Sequence, residues 1–186
     1  MSAFEVVAAV ITAYSVWLTA KENIWCWPIG FAGCAMYIAI FWQARLYANA
    51  VLQVLYLGMI VYGWFQWRRG GASHAALRVT RTPPGGWLAA AIGGVALTLA
   101  IVFSMLRWTA AAMPWPDAST TAFSIVAEWM TARKWIENWL VWIVVDAVTT
   151  WMLVVQHLYA SAVLYVAFVV LAAIGWIEWR KSLASA

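Results

Sequence analysis

Two tryptophans and a carboxylate share one face of an apolar segment that begins at residue 138. Trp139, Trp142 and Asp146 are spaced at i, i+3 and i+7, so a helix presents them together. Tryptophan rings stack on flat heterocycles and attract cations. An ionised Asp near the bilayer centre costs roughly 2.5–3.5 kcal/mol, so we expect Asp146 to face a cavity rather than lipid. The pattern predicts a binding wall for a flat, cationic molecule.

A second polar face is predicted between residues 46 and 67. Asn49, Gln53 and Tyr56 are spaced at i, i+4 and i+7, which again is one helix face. Gln53 lies about 10 Å from the outer end of its span by helical rise, and Asp146 lies about 12 Å from the inner end of its own. These depths are similar. We therefore expect four side chains to converge, namely Gln53, Trp142, Asp146 and Tyr165.

The remaining tryptophans and one glutamate allow two interpretations each. Trp27 lies inside a span, as Trp142 does, so ligand contact and packing are both open for it. Glu128 lies about one turn before Arg133, which favours an ion pair at the membrane surface over a role in gating. Tryptophans at span ends fit an interfacial belt, and this set comprises Trp64, Trp67, Trp87, Trp108, Trp176 and Trp179.

The elements that must position these residues are predicted to be membrane helices. The chain is 66% hydrophobic and 10% charged over 186 residues, which is too apolar for an ordinary water-facing surface. Four uncharged runs reach the roughly 20 residues that cross a bilayer, at 24–44, 46–67, 87–106 and 158–177. Three further runs complete a predicted set of seven spans, at 138–156, 6–20 and 118–132.

The distribution of basic residues predicts the orientation. With seven spans, nine of the eleven basic residues fall on one side, which is therefore expected to be cytoplasmic, with the N-terminus outside. The two on the other side are Arg45 and Arg107. The arginines between 68 and 81 fit a topology signal and lipid headgroup contact better than a nucleic-acid site. We expect a lipid bilayer and no nucleic acid as partner.

An internal repeat appears when the chain is shifted by 112 residues. Eleven of the 25 positions from 45 to 69 are identical to their counterparts. Each unit holds three spans, and the extra span at 87–106 lets the second unit enter in the orientation of the first. The prediction is an all-α integral membrane protein of three plus one plus three helices, with parallel repeats and a site between them. The expected divisions are 1–69, 70–112 and 113–186.

The two short runs at 6–20 and 118–132 are themselves 112 residues apart. Matched short hydrophobic segments in two halves are typical of a transporter's binding site. The alternative is that both helices simply extend past Glu5 and Asp117.

Several activities are disfavoured by missing motifs. The chain has no Gly-x-x-x-x-Gly-Lys-Ser/Thr loop for ATP hydrolysis and no Gly-x-Ser-x-Gly or His-Glu-x-x-His for other hydrolysis. His74 and His157 have no metal-ligand partner at helical spacing, and span seven has no Lys that would hold retinal. We expect no enzyme, no cofactor and no metal site.

Four sequence motifs together resemble the PnuC family of bacterial vitamin transporters. They are Asn23-Ile24-Trp25-Cys26-Trp27-Pro28-x-Gly30, Leu46-Tyr47-Ala48 with Gln53, Tyr62-Gly63-Trp64-x-x-Trp67, and Glu137-Asn138-Trp139-x-x-Trp142-x-x-x-Asp146. The resemblance implies a doubled SWEET-type fold in the bacterial inner membrane. It also implies uptake of nicotinamide riboside by facilitated diffusion, with trapping by a cytoplasmic nucleoside kinase.

The resemblance assigns ligand contacts to four positions. Trp139, Trp142 and Asp146 match the family signature, and Gln53 matches the family's glutamine of span three. The remaining candidates rest on geometry, and these are Asn138, Tyr165, Trp27, Asn49 and Tyr56.

Asp146 leaves the substrate open. It stands where riboside members of the family often have Asn. A carboxylate suits the pyridinium of nicotinamide riboside and equally the thiazolium of thiamine, whereas riboflavin is neutral. A membrane module that binds a ligand without transporting it is a further alternative. The oligomeric state, including a homo-oligomer, also stays open.

Overall fold

The described part of the chain forms a bundle of seven α-helices. The computed structural model describes residues 3–43, 45, 47–71, 75–108 and 113–184. In chain order the helices are α1 (Ala3–Ala20), α2 (Cys26–Gln43), α3 (Tyr47–Arg69), α4 (Pro84–Trp108), α5 (Pro114–Ala132), α6 (Asn138–Val155) and α7 (Tyr159–Ala184). The all-helical membrane fold is thereby confirmed. Of the helices described, six are long and apolar enough to cross a membrane, and α5 falls short.

Both short runs belong to longer helices. The helix α1 begins at Ala3 and includes Glu5, and α5 begins at Pro114 and includes Asp117. Proline suits the first turn of a helix because its fixed φ is helical and no N–H is needed there. The acidic side chains complement the positive end of the helix dipole. Both helices therefore extend past these acidic residues, as the alternative interpretation expects, and the link between the short segments and a binding site stays a prediction.

The first three helices, α1 to α3, meet the last three, α5 to α7, through two contacts: α1 with α7, and α3 with α5. The helix α1 packs against α2 and α7, while α5 packs against α4, α6 and α3. The loops after α1 and α5 lie at one end of the bundle with the last turns of α3 and α7. We call this end the basic end, because it carries Lys21, Arg68, Arg133 and Arg180.

Backbone features recur at an offset of 112 residues. Glu22 and Lys134 both have left-handed backbones, with φ of 54° and 52°, and so do Arg45 and His157, each with φ of 59°. Non-glycine residues seldom adopt this region. Two identical turns thus follow α1 and α5, and two more precede α3 and α7. The divisions 1–69, 70–112 and 113–186 stay a prediction, which these matched turns support.

Four buried tryptophans form a cluster at the basic end, which we call the tryptophan cluster. Its members are Trp27, Trp67, Trp139 and Trp179. The rings of Trp27 and Trp67 meet edge to face at 5.3 Å between centroids, and those of Trp139 and Trp179 do so at 5.4 Å. Trp67 and Trp179 approach each other at 5.9 Å. Edge-to-face pairs add stability beyond the area they bury.

The belt assignment was wrong for two of the six tryptophans. Trp67 is 3% exposed and Trp179 is 0% exposed. The indole Nε1 of Trp67 donates to the carbonyl oxygen of Thr131 at 3.0 Å, and that of Trp179 donates to Thr19 at 3.0 Å. Each indole therefore reaches across to the other half, whereas Trp108 is 77% exposed as a belt residue should be.

An ion pair joins two counterpart residues beside the tryptophan cluster. The ammonium of Lys134 lies 2.8 Å from the carboxylate of Glu22, and it also lies 4.5 Å from the ring centroid of Trp67. Lys134 is only 7% exposed. Partial burial strengthens both contacts relative to a surface pair.

The segment from 75 to 83 crosses the turn between α5 and α6 at the basic end. Thr80 donates its N–H to the carbonyl of Lys134 at 3.0 Å and accepts from Ile136 at 2.9 Å. Both the backbone N–H and the hydroxyl of Thr82 donate to one carboxylate oxygen of Glu137 at 2.8 Å. The carboxylate thus ties this segment to the start of α6.

We expect Glu137→Ala to lower the thermal stability of the purified protein. The substitution leaves the buried N–H of Thr82 without its acceptor, and a hydrogen bond to a charged group is worth about 1.5–3 kcal/mol. Thermal unfolding in detergent measures the effect. Glu137→Gln, which keeps an acceptor oxygen, should lose less. Equal melting temperatures for Glu137→Ala and the unchanged protein would contradict this role.

Candidate ligand-binding site

The polar face of α3 meets α2 and α5 inside the bundle. The thiol of Cys34 donates to the side-chain oxygen of Gln53 at 2.9 Å. One turn along, the hydroxyl of Tyr56 shares a short hydrogen bond with the hydroxyl of Ser124 on α5. Gln53 keeps its amide N–H groups free of any partner among the described residues. This face therefore offers two donors and a tyrosine hydroxyl.

The polar face of α6 carries an unpaired carboxylate. Asp146 is 6% exposed, and within the described part of the chain no donor or cation reaches its side chain. Thr150, one turn later, donates its hydroxyl to the backbone carbonyl of Asp146 and not to the carboxylate. A buried charge without a partner is costly, so a carboxylate in this position calls for a ligand cation or water.

Trp142 is held in place by a hydrogen-bonded threonine. Its indole Nε1 donates to the hydroxyl of Thr131 at 3.3 Å. That hydroxyl also lies 3.1 Å from the side-chain oxygen of Asn138, whose amide nitrogen donates to the carbonyl of Trp135 at 2.6 Å. Asn138 is fully buried. Its amide group is occupied within the protein, so Asn138 orients Trp142 through Thr131.

Tyr165 on α7 connects the two polar faces. Its hydroxyl lies within electrostatic range of the Asp146 carboxylate and of the Tyr56 hydroxyl. It is deep in the bundle but keeps partial exposure, as Tyr56 does. We expect the two tyrosines to line an internal cavity between α3, α6 and α7, in which a ligand would bind.

Glu128 does not form the expected ion pair with Arg133. Arg133 instead stacks over Trp129, 5.9 Å from its ring centroid. Glu128 lies deep in the bundle, within electrostatic range of Tyr56 and Cys34. Its side chain nevertheless remains partly exposed. We expect it to lie on the wall of the same cavity.

Three of the sequence candidates lie away from this cavity. Trp27 and Trp139 belong to the tryptophan cluster, where their indole N–H groups are buried without an acceptor among the described residues. Asn49 lies near the start of α3 and is exposed. Ligand contact by these three stays a prediction.

Cys34, Ser124 and Thr131 are polar partners that motif reasoning missed. Cys34 and Cys26 are both free and buried, and a lone buried cysteine carries no recognisable binding pattern in the sequence. Ser124 lies four residues before Glu128, and this spacing places both on one face of α5. That spacing was the one signal available for it.

Two open grooves at the basic end are separate from this cavity. One has a volume of about 400 Å³ and is lined by Trp176, Arg180 and Lys181, among others. The other, of about 300 Å³, lies between α2 and α3 and includes Trp27 and Trp64. Neither contains the carboxylates or the tyrosines that line the interior. We take the interior between the two polar faces as the better candidate for the ligand site, because it holds the unpaired polar groups.

Comparison with known proteins identifies the family. A family model described as nicotinamide mononucleotide transporter matches residues 2–181. The chain belongs to this family. It is a multi-pass membrane protein of a transporter family.

Named relatives of the family cover most of the chain. The nicotinamide riboside transporter PnuC of Escherichia coli is 26% identical over 98% of this chain and 87% of its own length. The riboflavin/roseoflavin transporter RibM of Streptomyces davaonensis is 30% identical over 77% of this chain and 68% of its own length. The crystal structure of the vitamin B3 transporter PnuC shares the fold, with a TM-score of 0.78 at 23% identity over 98% of this chain and 82% of that one.

Proposed function

We propose that the protein takes up nicotinamide riboside by facilitated diffusion. The unpaired carboxylate of Asp146, on the same helix as the fixed ring of Trp142, carries this proposal. The pyridinium of the riboside is flat and positively charged, so it gains from stacking and from the carboxylate together. Gln53 and Tyr56 on the opposite face supply hydrogen bonds suited to ribose hydroxyls. The names of the PnuC relatives support the same substrate.

The transport cycle we propose is a rocking of the two three-helix halves about the tryptophan cluster. The midplane site between them would open to each side in turn. The chain has no loop for ATP hydrolysis, so accumulation would come from a cytoplasmic nucleoside kinase that phosphorylates the entering riboside. We place the basic end in the cytoplasm of a bacterial inner membrane, with the N-terminus outside.

Counterflow in liposomes tests transport against binding alone. Liposomes that contain purified protein and unlabelled riboside are diluted into labelled riboside. A carrier exchanges the two across the membrane, so label accumulates transiently. A module that binds without alternating leaves the label outside. Protein-free liposomes and a preparation inactivated by heat serve as controls.

We expect the protein to reject nicotinamide mononucleotide, even though the family is named after it. Among the described residues, α5 and α6 carry no Lys, Arg or His, and the basic residues of α3 and α7 lie near their C-terminal ends at the basic end. No cation is therefore placed beside Asp146 to pair with a phosphate, while Asp146 and Glu128 both repel it. Competition against labelled riboside measures this preference, and the mononucleotide should compete at least roughly 100-fold more weakly, since a desolvated charge costs several kcal/mol. Competition at equal concentration would contradict the proposal.

Riboflavin is the second candidate, because RibM is 30% identical to this chain. Its ring is flat and stacks as well as a pyridinium, but it is neutral and gains little from Asp146. Thiamine, whose thiazolium is cationic, fits the same charge argument. Calorimetric titration of the detergent-solubilised protein with each of the three vitamins separates them. Saturable binding of riboflavin or thiamine alone would replace the riboside in the proposal.

A further inference from the structure

Glu128 is a second carboxylate that faces the cavity and belongs to none of the motifs discussed above. It lies four residues after Ser124 on α5, so the two side chains share one helix face about 6 Å apart along the axis. Ser124 bonds to the hydroxyl of Tyr56 on α3. The face that carries Glu128 is therefore the face that α5 turns toward the ligand-binding side of α3.

The surroundings of Glu128 contain no compensating cation. Among the described residues, its carboxylate has no ion pair, and the basic residue nearest in sequence, Arg133, is stacked on Trp129. Lys134 is engaged by Glu22. The groups within electrostatic range of Glu128 are Tyr56, Cys34 and Cys26, none of which is positive at neutral pH.

Asp146 and Glu128 lie at the two ends of one series of side chains. Asp146 is within range of Tyr165, Tyr165 is within range of Tyr56, and Tyr56 is within range of Glu128. The tyrosines contribute hydroxyls and no charge. Two carboxylates with no fixed cation between them make this region negative when they are ionised, and a cationic ligand favours that ionised form.

We propose that Glu128 is a specificity-determining residue, which together with Asp146 makes the cavity select a cationic ligand over a neutral ligand of the same shape. The inference rests on the proposed function and extends it by naming the second charge that recognises the substrate. Neither carboxylate needs to touch the pyridinium ring, since an attraction across several ångströms of protein interior is sufficient.

The test uses two ligands that differ almost only in charge. Nicotinamide riboside carries a pyridinium, and its dihydro form is neutral, with one hydride added to the ring. Calorimetry gives the ratio of the two dissociation constants for the unchanged protein and for Glu128→Gln. We expect the substitution to reduce the preference for the cation by roughly tenfold, with the affinity for the neutral form retained.

Two further variants separate charge from shape and from general effects. Glu128→Asp keeps the charge and should keep most of the preference. Glu178→Gln removes one carboxylate outside the cavity, where Glu178 pairs with Lys21 and Lys181, and should leave the ratio unchanged. A purely structural role for Glu128 would weaken both ligands equally in Glu128→Gln.

The outcomes distinguish this inference from the proposed function. Binding of the riboside with the same preference in Glu128→Gln as in the unchanged protein overturns the inference alone. Failure of the unchanged protein to bind either form overturns the proposed function and the inference with it. A reduced preference in Glu128→Gln that Glu128→Asp restores establishes the second charge.

Discussion

Trp142→Ala is expected to weaken binding and uptake of nicotinamide riboside strongly while the protein remains folded. The ring of Trp142 is only partly buried and packs at the edge of the tryptophan cluster, so all four buried rings of that cluster remain when it is removed. Loss of one stacking ring costs about 1–3 kcal/mol, or roughly 5- to 150-fold in affinity. Calorimetry measures the affinity and size-exclusion chromatography in detergent measures the fold.

Trp151 provides the matched control for Trp142. It lies on the same helix but is 51% exposed on the outer surface of the bundle. Trp151→Ala should bind and transport as the unchanged protein does. Trp142→Phe should recover part of the affinity, because a ring remains. Normal uptake by Trp142→Ala would mean that the site lies elsewhere.

Gly175→Ala is expected to destabilise the protein, even though alanine favours helices. A Cβ at Gly175 would overlap the indole of Trp139, and a Cβ at its counterpart Gly63 would overlap that of Trp27. Extra atoms in a well-packed interior cost about 1–3 kcal/mol, which exceeds the roughly 1 kcal/mol gained in helix propensity. Thermal unfolding in detergent measures the difference.

Gly93 on α4 tests whether the effect comes from the tryptophans. A Cβ there meets no described atom within 4 Å. Gly93→Ala should therefore leave the melting temperature unchanged or raise it, so the two substitutions are expected to differ in sign. Parallel shifts for Gly93→Ala and Gly175→Ala would show that the glycines matter for helix flexibility and not for the space beside the indoles.

The helices were predictable because their hydrophobic runs are long and uncharged. The predicted span 158–177 lies within α7 except for its first residue, and the start of α6 was placed at residue 138 as observed. The starts of α1 and α5 were missed because Glu5 and Asp117 interrupt the apolar pattern. In both cases the acidic side chain lies in the first helical turn, where the dipole accommodates it.

The tryptophans show why packing was harder to predict than the helices. Trp64 and Trp67 lie three residues apart near the same helix end, yet Trp67 is buried and Trp64 is partly exposed. Both are tryptophans near a helix end, which is where interfacial belt residues are found. The difference depends on which side of α3 faces α5, and this depends on contacts between halves that local spacing does not reveal.

The candidate site was predictable along each helix but not across helices. The faces of α3 and α6 followed from spacing alone. The partners that lie across them did not, since Cys34 resembles any small apolar residue and Ser124 any helical serine. Asn138 illustrates the converse, because its amide looked available in the sequence and is occupied by Trp135 and Thr131 in the structure.

The contact between Glu22 and Lys134 bears on the origin of the chain. Residues that are counterparts in two copies of a unit touch each other only on the axis that relates the copies. In an ancestral homodimer of such units this position would face itself, as two glutamates or two lysines, and like charges repel. Only a fused gene allows one copy to become acidic and the other basic. The pair thus makes each half a better partner for the other than for a second copy of itself.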